Sequence, residues 1–240
     1  MDRSDRSLSL FAVLFLLAAT PTNAATLQDV KNSLSALRGA TPLRVAVASS
    51  DVRSDGKTKG ESRGNSVIAD DGTRIHLIHE KKDLLPREDK KRGADYSVDA
   101  GEAAELLNYA PSLLRVIDKA TLKRMTSTMR SGKPVTLLEL TPVREKDEDG
   151  DKWVKNYVDT LLLWVDARGV PVAAERTKQM KVRFVVVGFE IAQKDELQFE
   201  PANDHLVVTK RTTASSGSGL GQGESGVKTV VASILREPAA

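Results

Sequence analysis

The chain of 240 residues contains no cysteine. That excludes disulfides, a thiol nucleophile, thiolate metal ligands and an N-terminal cysteine for lipid attachment. Histidine is nearly absent too, with only three in the sequence. His76 and His79 form the one close pair. On a strand, an offset of three sends them to opposite faces, so no zinc site is expected, and His79 reads as a satisfied histidine on the face of Ile75 and Leu77. Aromatic residues make up 4%. Net charge is scarce as well: 36 basic residues oppose 33 acidic ones, leaving +3. A nucleic-acid binder gathers Lys and Arg into an unopposed stripe, and none is present. Beyond the first 24 residues no apolar run is long enough to span a bilayer as a helix.

What the N-terminus does contain is a leader pattern. Arg3 and Arg6 precede the apolar run Leu8 to Ala19, and Thr22-Asn23-Ala24 supplies small residues where a signal peptidase reads. Cleavage is expected after Ala24, giving residues 1–24 as signal peptide and a mature chain, 25–240, without a transmembrane segment. An exported chain lacking disulfides must hold together by its core, which fits a bacterial periplasm.

The strongest β pattern lies between Trp153 and Glu190. Leu161, Leu163 and Val165 share one strand face, with Val158, Leu162 and Trp164 on the other. After Asp166-Ala167-Arg168-Gly169, which has the Gly of a tight reversal, Met180, Val182, Phe184 and Val186 alternate with Lys181 and Arg183. Both faces are apolar near the middle, so each must be covered. Upstream, Thr26 and Asp29 predict a capped helix with Leu27, Val30, Leu34 and Leu37 on one face. A three-stranded meander is predicted from Leu43 to Glu80, with turns at Ser54-Asp55-Gly56-Lys57 and Asp70-Asp71-Gly72. Residues 80–95 are dense in both charges and read as a solvated linker or as a flap carrying Leu84 and Leu85. Asp99 and Glu102 predict a second helix start, with a break near Ala110 ahead of Pro111. Strands are expected again around Val135–Pro142, Asp195–Phe199, Leu206–Thr213 and Val227–Leu235. The Gly/Ser run within 214–226 reads as a flexible loop bridging the final hairpin. Nine or ten strands with helices in two places predict one α+β domain: an extended antiparallel sheet, large enough to curl, with helices on one face.

No catalytic signature is expected. Residues 51–58 end like a phosphate loop, but Asp51 stands where its first Gly belongs, and the context is strand-turn-strand. Asp147, Asp149 and Asp151 lack the Gly of a calcium loop, Lys152 taking its place. No serine occupies a G-x-S-x-G elbow. No enzyme activity and no cofactor are expected.

Two stretches carry a resemblance: Gly132-Lys133-Pro134-Val135-Thr136-Leu137-Leu138-Glu139-Leu140-Thr141-Pro142, and Leu161-Leu162-Leu163-Trp164-Val165-Asp166-Ala167-Arg168-Gly169-Val170-Pro171. With the leader, entry helix and meander, the chain resembles the periplasmic lipoprotein-carrier superfamily, the LolA/LolB-like proteins and their RseB-type sensor relatives, over about Ala25 to Thr213. The resemblance implies an unclosed half-barrel with helices over its concave face. It further implies binding of lipid acyl chains or a lipidated protein partner in an apolar cavity. Leu113, Leu114, Leu161, Leu163, Phe184 and Val186 are the residues expected to line it; the alternative is that they fill a core, and that the protein is an envelope interaction or sensor module acting through its surface.

Overall fold

The structure, a computed structural model, describes residues 24–84, 98–144, 153–184, 187–219 and 222–235. Among them ten strands form one antiparallel sheet, in the spatial order β3-β2-β1-β10-β9-β8-β7-β6-β5-β4. The strands are β1 Leu43–Ser54, β2 Lys59–Asp70, β3 Ile75–Leu84, β4 Thr121–Arg130, β5 Lys133–Thr141, β6 Val154–Val165, β7 Pro171–Phe184, β8 Val187–Ala202, β9 His205–Gly219 and β10 Gln222–Ile234. The sheet is open and curled, with edges at β3 and β4, as the α+β reading requires. Strand β10 returns to pair with β1, so the first meander and the later strands make one surface.

Helices α1 Leu27–Ala36, α2 Ala100–Leu107 and α3 Ala110–Asp118 cover one face. Their starts follow from the predicted caps. Thr26 and Asp29 bond reciprocally, with Thr26 N donating to Asp29 at 2.8 Å and Asp29 N donating to Thr26 Oγ1 at 3.2 Å. Asp99 accepts from Glu102 N at 2.7 Å. Pro111 sits in the first turn of α3, where no N–H is required. Val30, Leu34, Leu106, Leu113 and Ile117 are buried against Val45, Ile68, Leu138, Leu140, Leu163 and Leu206.

The hub hairpin forms as the alternation predicts. Asp166 accepts from the N–H groups of Arg168 and Val170, each at 2.9 Å, and Gly169 takes φ +78°. That turn lies against α1. A Cβ at Gly169 would sit 2.7 Å from the Asp29 carbonyl carbon, and Ser33 Oγ donates to Gly169 O at 2.7 Å. Glycine is therefore required both for the backbone angle and for the close approach.

Two expectations are corrected. The Gly/Ser stretch expected as a loop at 214–226 is instead strand: β9 runs to Gly219 and β10 begins at Gln222. Ladder hydrogen bonds are made by the main chain, so β8 on one side and β10 on the other template a strand whose side chains carry little β preference. The charged segment 80–95 is also not all linker, because β3 continues to Leu84 and pairs with Ser62. Leu85 and the rest of the proposed flap lie outside the described residues.

The helix end of the sheet is closed by Asp204, which accepts from Ala40 N at 2.7 Å, Thr41 N at 3.1 Å and the Thr41 hydroxyl. The Thr41 hydroxyl and then the Ala40 N–H hold its pKa down at about 2. The folded value is below the unfolded one of about 3.9, so this contribution is complete above that value and is lost as pH falls towards 2. In urea titrations the midpoint should therefore fall between about pH 4 and 2. An Asp204→Asn variant should show a flatter acid limb; an unchanged limb would remove Asp204 from the acid response.

Candidate functional site

On the helix-facing side the sheet divides into a packed field and an open one, separated by a polar row. Register alignment builds that row across six strands: Arg176 opposite Asp195, Asp195 opposite Thr213, Thr213 opposite Lys228, Lys228 opposite Asp51, and Asp51 opposite Ser62. Helix α2 meets it from above. Glu102 pairs with Lys228 at 2.5 Å, and Glu105 with Arg211, one rung towards the core, at 3.0 Å.

The row is dense with charge-assisted bonds. Asp159, whose side chain is only 1% exposed, receives Arg176 through two nitrogens at 3.0 and 2.7 Å and the Tyr157 hydroxyl at 2.9 Å. Burial opposes the Arg176 charge, but the Asp159 hydrogen bonds and charge outweigh it and raise its pKa. Asp195 accepts from Thr213 at 2.6 Å and Gln193 at 2.7 Å, with Arg211 at 3.7 Å. Burial raises the pKa of Tyr109, whose ring stacks on Phe199 with centroids 5.5 Å apart. These groups neutralise and orient one another. The arrangement is a network of paired charges, with two exceptions among the described residues: Ser62 Oγ and Arg211 Nε are buried without a hydrogen-bond partner.

Below the row, under the helices, apolar side chains are packed. Leu113, Leu161 and Leu163 are 2%, 3% and 0% exposed and belong to the main core cluster, with Leu114 packed at its margin. The structure thus gathers four of the six expected cavity residues into one cluster whose space is filled by α2 and α3. The Phe184 side chain and Val186 lie outside what is described.

Above the row, beyond the reach of the helices, the same face turns apolar again and stays open. Met180 opposes Ile191, and Val182 opposes Phe189. Ile191 is 47% and Phe189 38% exposed. Their β9 neighbours are Gly217 and Gly219, which raise no side-chain wall. The Phe189 ring lies over Gly219, where a Cβ would come within 2.3 Å of the ring. The result is an apolar trough floored by glycine backbone. The sequence alone does not reveal it, because the Gly/Ser run has the composition of a loop. The alternation Phe189, Ile191, Gln193, Asp195 was a usable signal, since it carries an apolar pair and a polar pair on one face.

No protein-family profile matches the chain, and no curated protein matches it. Solved structures do. A LolA superfamily protein, NE2245 from Nitrosomonas europaea, is similar over 90% of this chain and 96% of its own, at 13% identity and a TM-score of 0.34. A DUF1329 family protein from Desulfovibrio piger is similar over 89% and 94%, at 10% identity and a TM-score of 0.40. One chain of the Pseudomonas aeruginosa MucA/MucB complex structure is similar over 88% of this chain and 100% of its own, at 11% identity and a TM-score of 0.25.

The His79 side chain and Asp147, Asp149 and Asp151 lie outside the described residues. His76 bonds Asp71 at 3.1 Å, and His205, fully buried, sets Nε2 2.7 Å from Thr41 O. Residues 51–58 form the β1–β2 hairpin, with Asp55 accepting from Lys57 N and Thr58 N.

Proposed function

We propose that this is an exported, non-catalytic periplasmic protein that binds acyl chains, of a lipid or of a lipidated protein, in the apolar trough of Met180, Val182, Phe189 and Ile191. The observation that supports this most is the exposure of Ile191 and Phe189 on the helix-facing side, directly beyond a polar row that ends the packed core. Apolar surface left open favours an apolar ligand, at about 0.8 kcal/mol per buried CH₂. The leader pattern supports export, and no helix among the described residues is long and apolar enough to cross a membrane.

Native mass spectrometry of the chain from Ala25 onward, followed by lipid extraction, tests the reading; an added mass that dissolves into acyl species is expected. A fluorescent fatty-acid probe should bind, and Ile191→Asp should weaken it at least tenfold, because a carboxylate in the trough must stay hydrated. No probe uptake, or equal uptake by the Ile191→Asp variant, would rule the trough out.

A second reading is an envelope interaction module acting through its surface. The closely packed field under the helices favours it, since Leu138, Leu140, Leu163 and Ile117 are all 0% exposed. A bare protein mass with no lipid uptake would shift the weight to this reading.

A further inference from the structure

The end of the sheet farthest from the helices gathers basic side chains around apolar strand ends. There β6 begins, β7 turns into β8, β9 turns into β10 and β1 turns into β2. The last two turns adjoin, since a Cβ on Gly56 would lie 3.9 Å from Gly223 O. A groove of about 740 Å³ opens at this end, bounded by Lys155, Lys181, Arg183, Glu190, Val182, Phe189 and backbone of β8, β9 and β10. Lys57, Lys155, Lys181 and Arg183 are exposed. The carboxylates nearby are partly committed: Asp55 to its own turn and Glu190 to Lys181 at 2.7 Å, with Glu224 also at this end. Val182 and Phe189 oppose each other here, on the face of the sheet opposite to Lys181 and Arg183.

We infer that this end of the sheet docks on an anionic lipid surface, with Lys155, Lys181 and Arg183 at the headgroups and the apolar strand ends against the acyl boundary. Apolar strand ends on one face with lysine and arginine on the other match both layers of such an interface. An acidic protein surface would satisfy the cations but leave Val182 and Phe189 in water. The inference goes beyond acyl binding, although the trough opens towards the same end, so that a chain leaving or entering it would do so at the bilayer.

The test is co-sedimentation with phosphatidylcholine vesicles with and without about one third phosphatidylglycerol. The protein used is the chain from Ala25, which carries every described element and lacks the leader's own apolar run. Binding is expected only to the anionic vesicles and should weaken steeply between 50 and 300 mM salt, values chosen to shorten the Debye length to about 6 Å. The double variant Lys155→Gln with Arg183→Gln should lower the partition coefficient roughly thirtyfold, at about fivefold or more per surface cation. A matched variant at the opposite end, Arg38→Gln with Arg74→Gln, should bind as the parent does. Absence of binding, equal binding to neutral vesicles, or equal losses in both double variants would overturn the inference. Fatty-acid probe uptake is measured on the same proteins. Retained uptake with lost vesicle binding would separate the docking surface from the trough, whereas vesicle binding without probe uptake would sustain docking and remove acyl carriage.

Discussion

Replacing Asp159 with Ala should cost about 3–5 kcal/mol of stability and lower the melting temperature by roughly 10 °C. The carboxylate is almost fully buried and is the acceptor for both the Arg176 guanidinium and the Tyr157 hydroxyl. Removing it leaves a cation, 21% exposed, next to Leu161, with no partner to offset its lost hydration. The partial exposure of Arg176 places the expectation at the lower part of that range. The companion variant Asp159→Leu with Arg176→Met should recover most of the loss, because the desolvation cost disappears along with the attraction. Urea unfolding of the three proteins decides it. A loss below about 1 kcal/mol in the alanine variant would show that water reaches and screens the pair.

Asn108→Ala should destabilise by about 3 kcal/mol and open the junction of the helices with the sheet. This single amide joins three elements. Its Nδ2 donates to Leu37 O at 3.0 Å beyond the end of α1, while its Oδ1 accepts from Ala110 N at 3.2 Å and from Leu206 N at 3.1 Å. Leu206 is 0% exposed, so its N–H would be left without an acceptor in the core. Gly39, at φ +67°, packs so closely that a Cβ there would lie 2.5 Å from the Asn108 nitrogen, which leaves no room for a larger amide. Amide exchange at Leu206 should quicken by the same factor as global stability falls. Asn108→Asp retains the two acceptor bonds and loses only the donor, so it should fall between parent and alanine. Equal stability of all three proteins would show that the junction is held elsewhere.

How much was legible depended on whether the signal was local. The cap pairs Thr26/Asp29 and Asp99/Glu102, the break before Pro111 and the reversal at Asp166 to Gly169 each involve residues within a few positions. Each formed as read. The frame of Leu161, Leu163 and Val165 was correctly placed on one face, because a period of two fixes faces without knowledge of the partner strand. The same frame contains Asp159, and that of Met180 and Val182 contains Arg176. A charge set in an apolar frame was the available clue to the polar row, but the partner that neutralises it lies on another strand.

The Gly/Ser run shows the opposite failure. Its composition is that of a linker, and nothing in it distinguishes a free chain from residues 214–219 held between β8 and β10 and residues 222–226 paired with β9. Phe189 needs Gly219 beneath its ring, a requirement visible only once the two strands are in register.

By itself the sequence determined the leader pattern, the helix starts, the turns and which residues of each strand share a face, because those depend on backbone preference and short-range periodicity. Tertiary structure alone decided that β10 would close onto β1, that six strands would align Arg176 through Ser62 into one row, and that the helices would stop at that row. Those outcomes depend on register between distant segments, where each charge is tolerable only because another chain segment supplies its partner. The open trough follows from the same fact: the helices cover the apolar field they can pack against, and leave Ile191 and Phe189 uncovered on the far side of the charges.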